Sequence, residues 1–376
     1  MNKLLKTACT KRILFSKAMP IFSFGILLMM FSCAGNQQKE EATAEAGENQ
    51  APLILQYLEE TGDVINAEAA PFLVNAAEIN ERLVANNILV IDLRSPAEFI
   101  KGHIPNAENV VPEQIIEFFE KKIDPGAFER IYLVCPNAHM STYVVGLLRF
   151  MGHENTFALR FGMSAWNSQI GDHYWMAAIS DRMENRLETQ PHQKNEPGTL
   201  PFIYTGETEP FLMLRSRIKE VLQYGMDDLF ISNIEVFRNP ESYYIVNYWP
   251  ENLYNMGHIP GAIQYDPKKS LRSDTELNTL PTDKPVVIYC YTGQNAGLVT
   301  GFLRIMGYEA YGLKYGANSF IHESIKSLFA DRPGRFFIRE HIQEFPLEGK
   351  ADQKTDETEK PQNNIREETL SVEGGC

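Results

Sequence analysis

The sequence has no CxxC pair, and that absence removes the ligand spacing of an ordinary zinc site. It has no basic excess either. The formal net charge is −14, with much of the acidic surplus in the terminal stretches, so no cationic patch is there to neutralise phosphates and nucleic-acid binding is excluded. The longest early apolar run, from Ile21 to Phe31, is 11 residues, too short for an ordinary transmembrane span. Cysteine is scarce, with 5 in 376 residues. Cys9 and Cys33 belong to the N-terminal segment, which leaves Cys135, Cys290 and Cys376. Three thiols cannot all pair within one chain, although a Cys135–Cys290 disulfide stays open as an alternative in an oxidising compartment. What the chain does have is apolar material, 44% of its residues with 22 Phe, enough for two cores.

It also has an internal duplication. Val286 to Tyr289 reads as a short buried strand that ends on Cys290. The loop Tyr291-Thr292-Gly293-Gln294-Asn295-Ala296 follows, and then apolar residues recur at helical spacing to Met306. Ile131 to Val134, Cys135, the loop Pro136-Asn137-Ala138-His139-Met140-Ser141 and a helical run to Met151 repeat the design. Cys135 and Cys290 are 155 positions apart. Gly102-His103-Ile104-Pro105 recurs as Gly257-His258-Ile259-Pro260, and Leu148 to Gly152 as Leu303 to Gly307, at the same offset of 155. Units of this size mean two domains and not a solenoid. Strands alternating with helices predict an open, parallel α/β sheet in each, with the working loops at strand C-termini.

A cysteine between a strand end and a helix start faces unpaired backbone N–H groups and the positive end of a helix dipole. Both favour thiolate over thiol, so Cys290 and Cys135 are the candidate nucleophiles, with a buried structural cysteine as the plain alternative. His139 lies within a loop of this kind and could stabilise a thiolate. His103 and His258 are proton carriers or, more simply, hydrogen-bonders at a turn. Arg94 is expected to pair with Asp92 or Glu98.

The ends read differently. Lys3, Lys6, Lys11, Arg12 and Lys17 precede the apolar run, which closes on Ser32-Cys33. This order resembles a bacterial lipoprotein signal, in which the cysteine is lipidated, although Met30 and Phe31 stand where that family prefers Leu and a small residue. The expected organisation is a signal over 1–32, a flexible tether over 33–70, a first domain over 71–185, a linker over 186–209, a second domain over 210–345 and a disordered tail over 346–376. Such a protein sits in the bacterial cell envelope, anchored by lipid on the periplasmic or surface side. Cys376, behind Gly374-Gly375 on that tail, is a candidate relay thiol to Cys290.

Asp92-Leu93-Arg94, then Gly-His-Ile-Pro, then strand, cysteine, six-residue loop and helix, then Gly162 with Trp166, together resemble the rhodanese sulfurtransferase family in tandem form. The likeness covers about 71–180 and 210–335. It implies five-stranded, mainly parallel sheets flanked by helices, no cofactor and no metal. It also implies a cysteine that takes sulfane sulfur from a small donor and hands it on, as a persulfide, to a thiol acceptor. Family loops that bind thiosulfate carry arginine five residues after the cysteine, where this chain has Met140 and Asn295. The Cys290 loop is more similar to the mercaptopyruvate branch, which favours a mercaptopyruvate-like thio-acid or an organic persulfide over thiosulfate as donor. The second domain has the better loop and the more altered frame, with Asn247, Trp249 and Phe320 where the first keeps Asp92, Arg94 and Trp166. Phosphatases of related fold need arginine six after the cysteine. Ser141 and Ala296 stand there, which disfavours that chemistry. A catalytically impaired binding or redox-sensing module is the remaining alternative.

Overall fold

A computed structural model describes residues 47–67, 72–85, 87–223 and 229–349. The signal, Cys33 and the relay candidate Cys376 lie outside the described residues. Two five-stranded sheets are present, with strands β1 Leu73–Val74, β2 Ile88–Asp92, β3 Glu108–Asn109, β4 Arg130–Val134 and β5 Thr156–Leu159 in the first. The second holds β6 Phe230–Ile231, β7 Tyr244–Asn247, β8 Ile263–Gln264, β9 Val286–Tyr289 and β10 Ala310–Leu313. The orders are β1-β5-β4-β2-β3 and β6-β10-β9-β7-β8, and every pairing is parallel. Parallel strands are covered on both faces, so they read as continuous apolar runs and not as alternation. β4 and β9 show this: all but Arg130 of their residues are buried. Each cysteine therefore ends the central strand of its sheet. The edge strand β3 continues the pairing past its own end, with the Val110 N–H bonded to the Asp92 carbonyl at 3.1 Å.

The two loop helices, His139–Phe150 and Gln294–Ile305, pack against each other across the domain boundary. Each is covered by its own sheet on one side and by the other helix on the second, so residues that periodicity would place on a wet face are buried as well. Small residues permit the approach: a Cβ on Gly297 would stand 2.3 Å from Thr142 Oγ1 and 2.8 Å from the His139 carbonyl. Arg149 and Arg304, buried in the last turn of each helix, donate to the Thr156 and Ala310 carbonyls. The result is one apolar core running through both domains, with a smaller core on the outer face of each sheet.

Three stretches expected to be loose are structured. Within the tether, Ala51–Glu60 is a helix whose buried residues Ala51, Ile54, Leu55 and Leu58 follow a helical stripe and pack on the helix Pro210–Val221. Gln50 holds its start, accepting from the Thr205 N–H and donating to the Glu207 carbonyl, both at 2.7 Å. The linker after domain 1 runs along domain 2, where Glu188 forms an antiparallel bridge with His258. The segment after domain 2 returns to domain 1, where Glu348, in the expected tail, forms the same bridge with His103. The Trp166 Nε1–H donates to the Pro346 carbonyl at 2.9 Å and Asn167 to that of Phe345 at 3.0 Å, which fixes the return. Each domain thus lends a strap to the Gly-His-Ile-Pro turn of the other. Backbone bridging needs no particular side chains, so composition alone read both segments as linker and tail.

Candidate active site

The Cys290 loop is a ring of backbone donors. The N–H groups of Ala296, Thr292, Gly293 and Asn295 surround the sulfur and favour its anionic form. Gly293 makes this possible with φ +76°, in a space where a Cβ would meet the Leu313 carbonyl at 2.8 Å and His139 Nε2 at 2.9 Å. A second loop braces the first from behind: Ala317 N–H donates to the Cys290 carbonyl at 3.0 Å and Asn318 N–H to that of Tyr291 at 3.1 Å. Domain 1 uses the same brace, from Met163 to the Cys135 carbonyl at 2.8 Å and from Ser164 to that of Pro136 at 3.0 Å. Ala138 takes Gly293's place at φ +73°, so the loop keeps its shape although the glycine is gone, at about 1 kcal/mol of backbone strain. Around Cys135 the nearest donor is the Ser141 N–H at 3.3 Å, with the Asn137 and Met140 N–H groups beside it, and the thiol itself donates to the Ser141 hydroxyl at 3.5 Å.

The expected depression of the thiol pKa is not found. Burial pushes both thiols up, and the N–H donors only partly offset it, so the resting form of each is the thiol. The loop dipoles act on sulfurs that the fold almost wholly encloses, Cys135 at 0% and Cys290 at 3% exposure. Both cysteines are free.

The two sites differ in access. Cys135 is fully enclosed. Trp175, whose Nε1–H donates to the Asn137 carbonyl at 3.2 Å, packs over the loop with Tyr315, Phe161 and Phe337. Cys290 lines a cavity of about 320 Å³ together with Tyr291, Thr292, Asn295, Arg160, Arg332 and Arg335. None of these arginines belongs to the loop. Arg160 comes from the end of β5 in domain 1, and Arg332 and Arg335 come from the segment after the second domain's last helix. Sequence reasoning looked for arginine within the loop and missed them. Arg160 was findable, since it sits at a strand C-terminus where such sheets place their ligands. It donates to Asn75 Oδ1 at 3.1 Å and to the Gly334 carbonyl at 3.4 Å, and it has no carboxylate partner among the described residues. Arg335 lies over the Tyr291 ring at 4.6 Å, and Trp249 stacks on the same ring at 5.1 Å.

The remaining predicted residues take structural places. Asp92 and Arg94 form a buried ion pair at 2.6 Å, and Arg94 also donates to the Gly102 carbonyl at 2.7 Å. His103 stacks on Phe99 with Nδ1 at 2.8 Å from the Phe99 carbonyl. His258 repeats this on Tyr254, with Nδ1 at 2.9 Å from that carbonyl. His139 does not face Cys135. Its Nε2 accepts the Tyr315 N–H at 3.0 Å in the other domain and stands 3.3 Å from the Thr292 carbonyl, and burial pushes its pKa down to about 3. A neutral ring cannot hold a thiolate by charge. Gln294, at the equivalent place in the second loop, returns the contact by accepting the Phe161 N–H at 3.0 Å. Phe161 and Tyr315 both have positive φ, so each loop holds a strained turn of the opposite domain.

Two parallel α/β domains, each ending its central strand in a braced cysteine loop, define a paired cysteine-loop protein. The Rhodanese-like domain model matches residues 75–169 and 238–323, and the chain belongs to that family as a tandem member. It is 24% identical to a thiosulfate sulfurtransferase of Pseudomonas aeruginosa over 65% of this chain and 94% of the relative. It is 26% identical to one of Azotobacter vinelandii over 63% and 89%. Among solved structures, a thiosulfate sulfurtransferase from P. aeruginosa is 17% identical over 71% of this chain and 46% of that one, with TM-score 0.27. SseA from Escherichia coli, described as a 3-mercaptopyruvate sulfotransferase, is 15% identical over 65% and 98%, with TM-score 0.23. The family is one of rhodanese-type sulfurtransferases.

Proposed function

We propose that the protein transfers sulfane sulfur through a persulfide on Cys290. The observation that carries this reading is access: of the two loop cysteines, Cys290 opens to a cavity and Cys135 is sealed. Cys290 loses its proton and attacks the donor's transferable sulfur. That sulfur's bond to the donor breaks, and the electron pair leaves with the remainder of the donor. The terminal sulfur of the persulfide is then attacked by an acceptor thiolate, and Cys290 departs as thiolate. Loop N–H groups stabilise the sulfur anion at both stages.

The donor is a small anion whose charge lies some bonds from its sulfur, of the mercaptopyruvate or organic persulfide type. The cavity supports this because its cations enter from outside the loop while the loop itself offers only neutral donors. Domain 1 serves as the frame that supplies Arg160 and His139. The test is intact-protein mass spectrometry after donor treatment. A single added sulfur is expected on wild type and on Cys135→Ser and is absent from Cys290→Ser. Loading that survives Cys290→Ser overturns the reading.

We propose further that a lipid on Cys33 holds the protein in the bacterial envelope, on the strength of the basic residues, the apolar run Ile21 to Phe31 and the Ser32-Cys33 that closes it. Among the described residues, no helix is long and apolar enough to cross a membrane. Cys33→Ser should move the protein from the membrane to the soluble fraction, and unchanged partition with normal processing would count against the anchor.

A further inference from the structure

The linker strap carries a second cluster with no part in sulfur transfer. Glu188, His192 and His258 bring one ligand atom each to a common point, all within 4.8 Å of one another. Glu188 Oε1 is 2.6 Å from His192 Nε2 and 3.6 Å from His258 Nε2, and the Gln190 carbonyl is 3.2 Å from His258 Nε2. These separations bracket the roughly 3.3 Å edge of a tetrahedron with 2.0 Å metal–ligand bonds.

Each member is held by something other than the cluster. The Glu188 and His258 backbones are joined by two hydrogen bonds, at 3.0 and 2.9 Å. The His192 N–H donates to the Tyr254 hydroxyl at 3.0 Å, and that hydroxyl donates to the Ala262 carbonyl at 2.8 Å. The His258 ring lies flat on Tyr254, 1% exposed, with Nδ1 fixed on the Tyr254 carbonyl. Such a bond from the far ring nitrogen is the usual way of fixing the tautomer of a metal-binding histidine. It leaves the Nε2 lone pair aimed into the cluster, where the groups it meets are oxygens of Gln190 and Glu188, acceptors themselves. A buried lone pair facing acceptors calls for a cation between them. The equivalent turn in domain 1 shows the contrast: His103 meets the returning strap at Glu348, and no second histidine joins it.

We propose that Glu188, His192 and His258 form a binding site for a divalent transition metal of the Zn²⁺ type. The donor set, two imidazoles and a carboxylate with a carbonyl or water completing it, suits Zn²⁺ or Co²⁺ over Ca²⁺ or Mg²⁺. The ion pins the strap leaving domain 1 to domain 2. Leu187 and Gly257, beside it, wall an apolar groove of about 780 Å³ that reaches Tyr291 of the Cys290 loop, so occupancy fixes one side of that groove.

The experiment uses the full chain, stripped with chelator and with its thiols alkylated so that cysteine cannot bind the ion. Titration with Zn²⁺ by calorimetry should show one equivalent. Co²⁺ should give visible ligand-field bands without the near-ultraviolet charge transfer of a thiolate ligand. Glu188→Gln and His192→Ala lie on the strap, clear of the core. Each should weaken binding by more than the about 10- to 100-fold seen on losing an outer partner of a metal ligand. No saturable equivalent in wild type overturns the proposal, because the cluster is then held by its hydrogen bonds alone. Equal affinity in both variants overturns it too, because the ion is then bound elsewhere.

Discussion

Arg160 offers the sharpest test of how the two domains share one site. It is a half-buried guanidinium contributed by domain 1 to the cavity that Cys290 of domain 2 lines. Its present partners are two neutral oxygens, at 3.1 and 3.4 Å, and burial lowers its pKa, the mark of a cation short of a counter-charge. An anionic donor supplies that charge. A charge-assisted hydrogen bond contributes about 1.5–3 kcal/mol, and 1.4 kcal/mol is tenfold, so Arg160→Gln should lower kcat/KM for an anionic donor by about 10- to 150-fold. If the contact is equally strong before and during reaction, the loss falls on the donor KM, with kcat and the acceptor KM little changed. Arg160→Lys keeps the charge and loses the fork, so it should fall between. Steady-state assays with mercaptopyruvate and with thiosulfate check this, alongside alkylation of Cys290 by neutral iodoacetamide, which should not change. The variant gives up two hydrogen bonds to neutral acceptors but also a poorly compensated charge, so its thermal midpoint should stay close to that of wild type. Values of kcat/KM within twofold of wild type for every anionic donor would refute the role.

Three further outcomes follow from the geometry. The folded-state pKa of Cys290 is raised, so the thiol persists to higher pH, and its alkylation rate should climb about tenfold per unit from pH 7 without levelling below pH 9; a plateau near neutrality would contradict the dominance of burial. His139→Ala removes the acceptor of the Tyr315 N–H and should cost about 1–3 kcal/mol by denaturant unfolding, whereas His139→Gln, the residue used at the equivalent Gln294, should recover much of it. Gly297→Ala drives a Cβ into Thr142 and the His139 carbonyl at the helix crossing, and calorimetry should show about 1–3 kcal/mol of lost stability; an unchanged midpoint would mean that the interface yields freely.

Much of the architecture was legible because it was written twice. A single short strand such as Val286–Tyr289 is ambiguous, but the same strand, cysteine and helix at a fixed offset are not, and the parallel sheets followed from alternation with helices. What escaped the reading depended on contacts between the copies. The stripe Ala51, Ile54, Leu55 and Leu58 was visible in a stretch dismissed on composition, yet its partner helix begins at Pro210, and no local pattern links the two. The role of Arg160 depends on residues 332–335, far along the chain, which close its cavity. The pKa of Cys290 was misjudged for a related reason: loop geometry can be inferred from Gly293, but the burial that outweighs it comes from the whole fold.

The departures from the family pattern make sense as consequences of this exchange. In domain 1 the Asp92–Arg94 pair holds the turn at Gly102, a local device that needs nothing from the other half. In domain 2, Asn247 donates to the Tyr289 hydroxyl at 2.6 Å and Trp249 stacks on Tyr291, so the frame is built around aromatic residues next to Cys290. Conversely, the domain 1 loop has given up its glycine and its access but keeps its conformation through Ala138, and only that conformation carries His139 to Tyr315. A loop kept in a strained shape without an accessible sulfur is best explained by what the shape does for its neighbour. Cys135, enclosed, fills the core of that brace, while Cys290 lines the arginine-walled cavity on the other side of the shared helices.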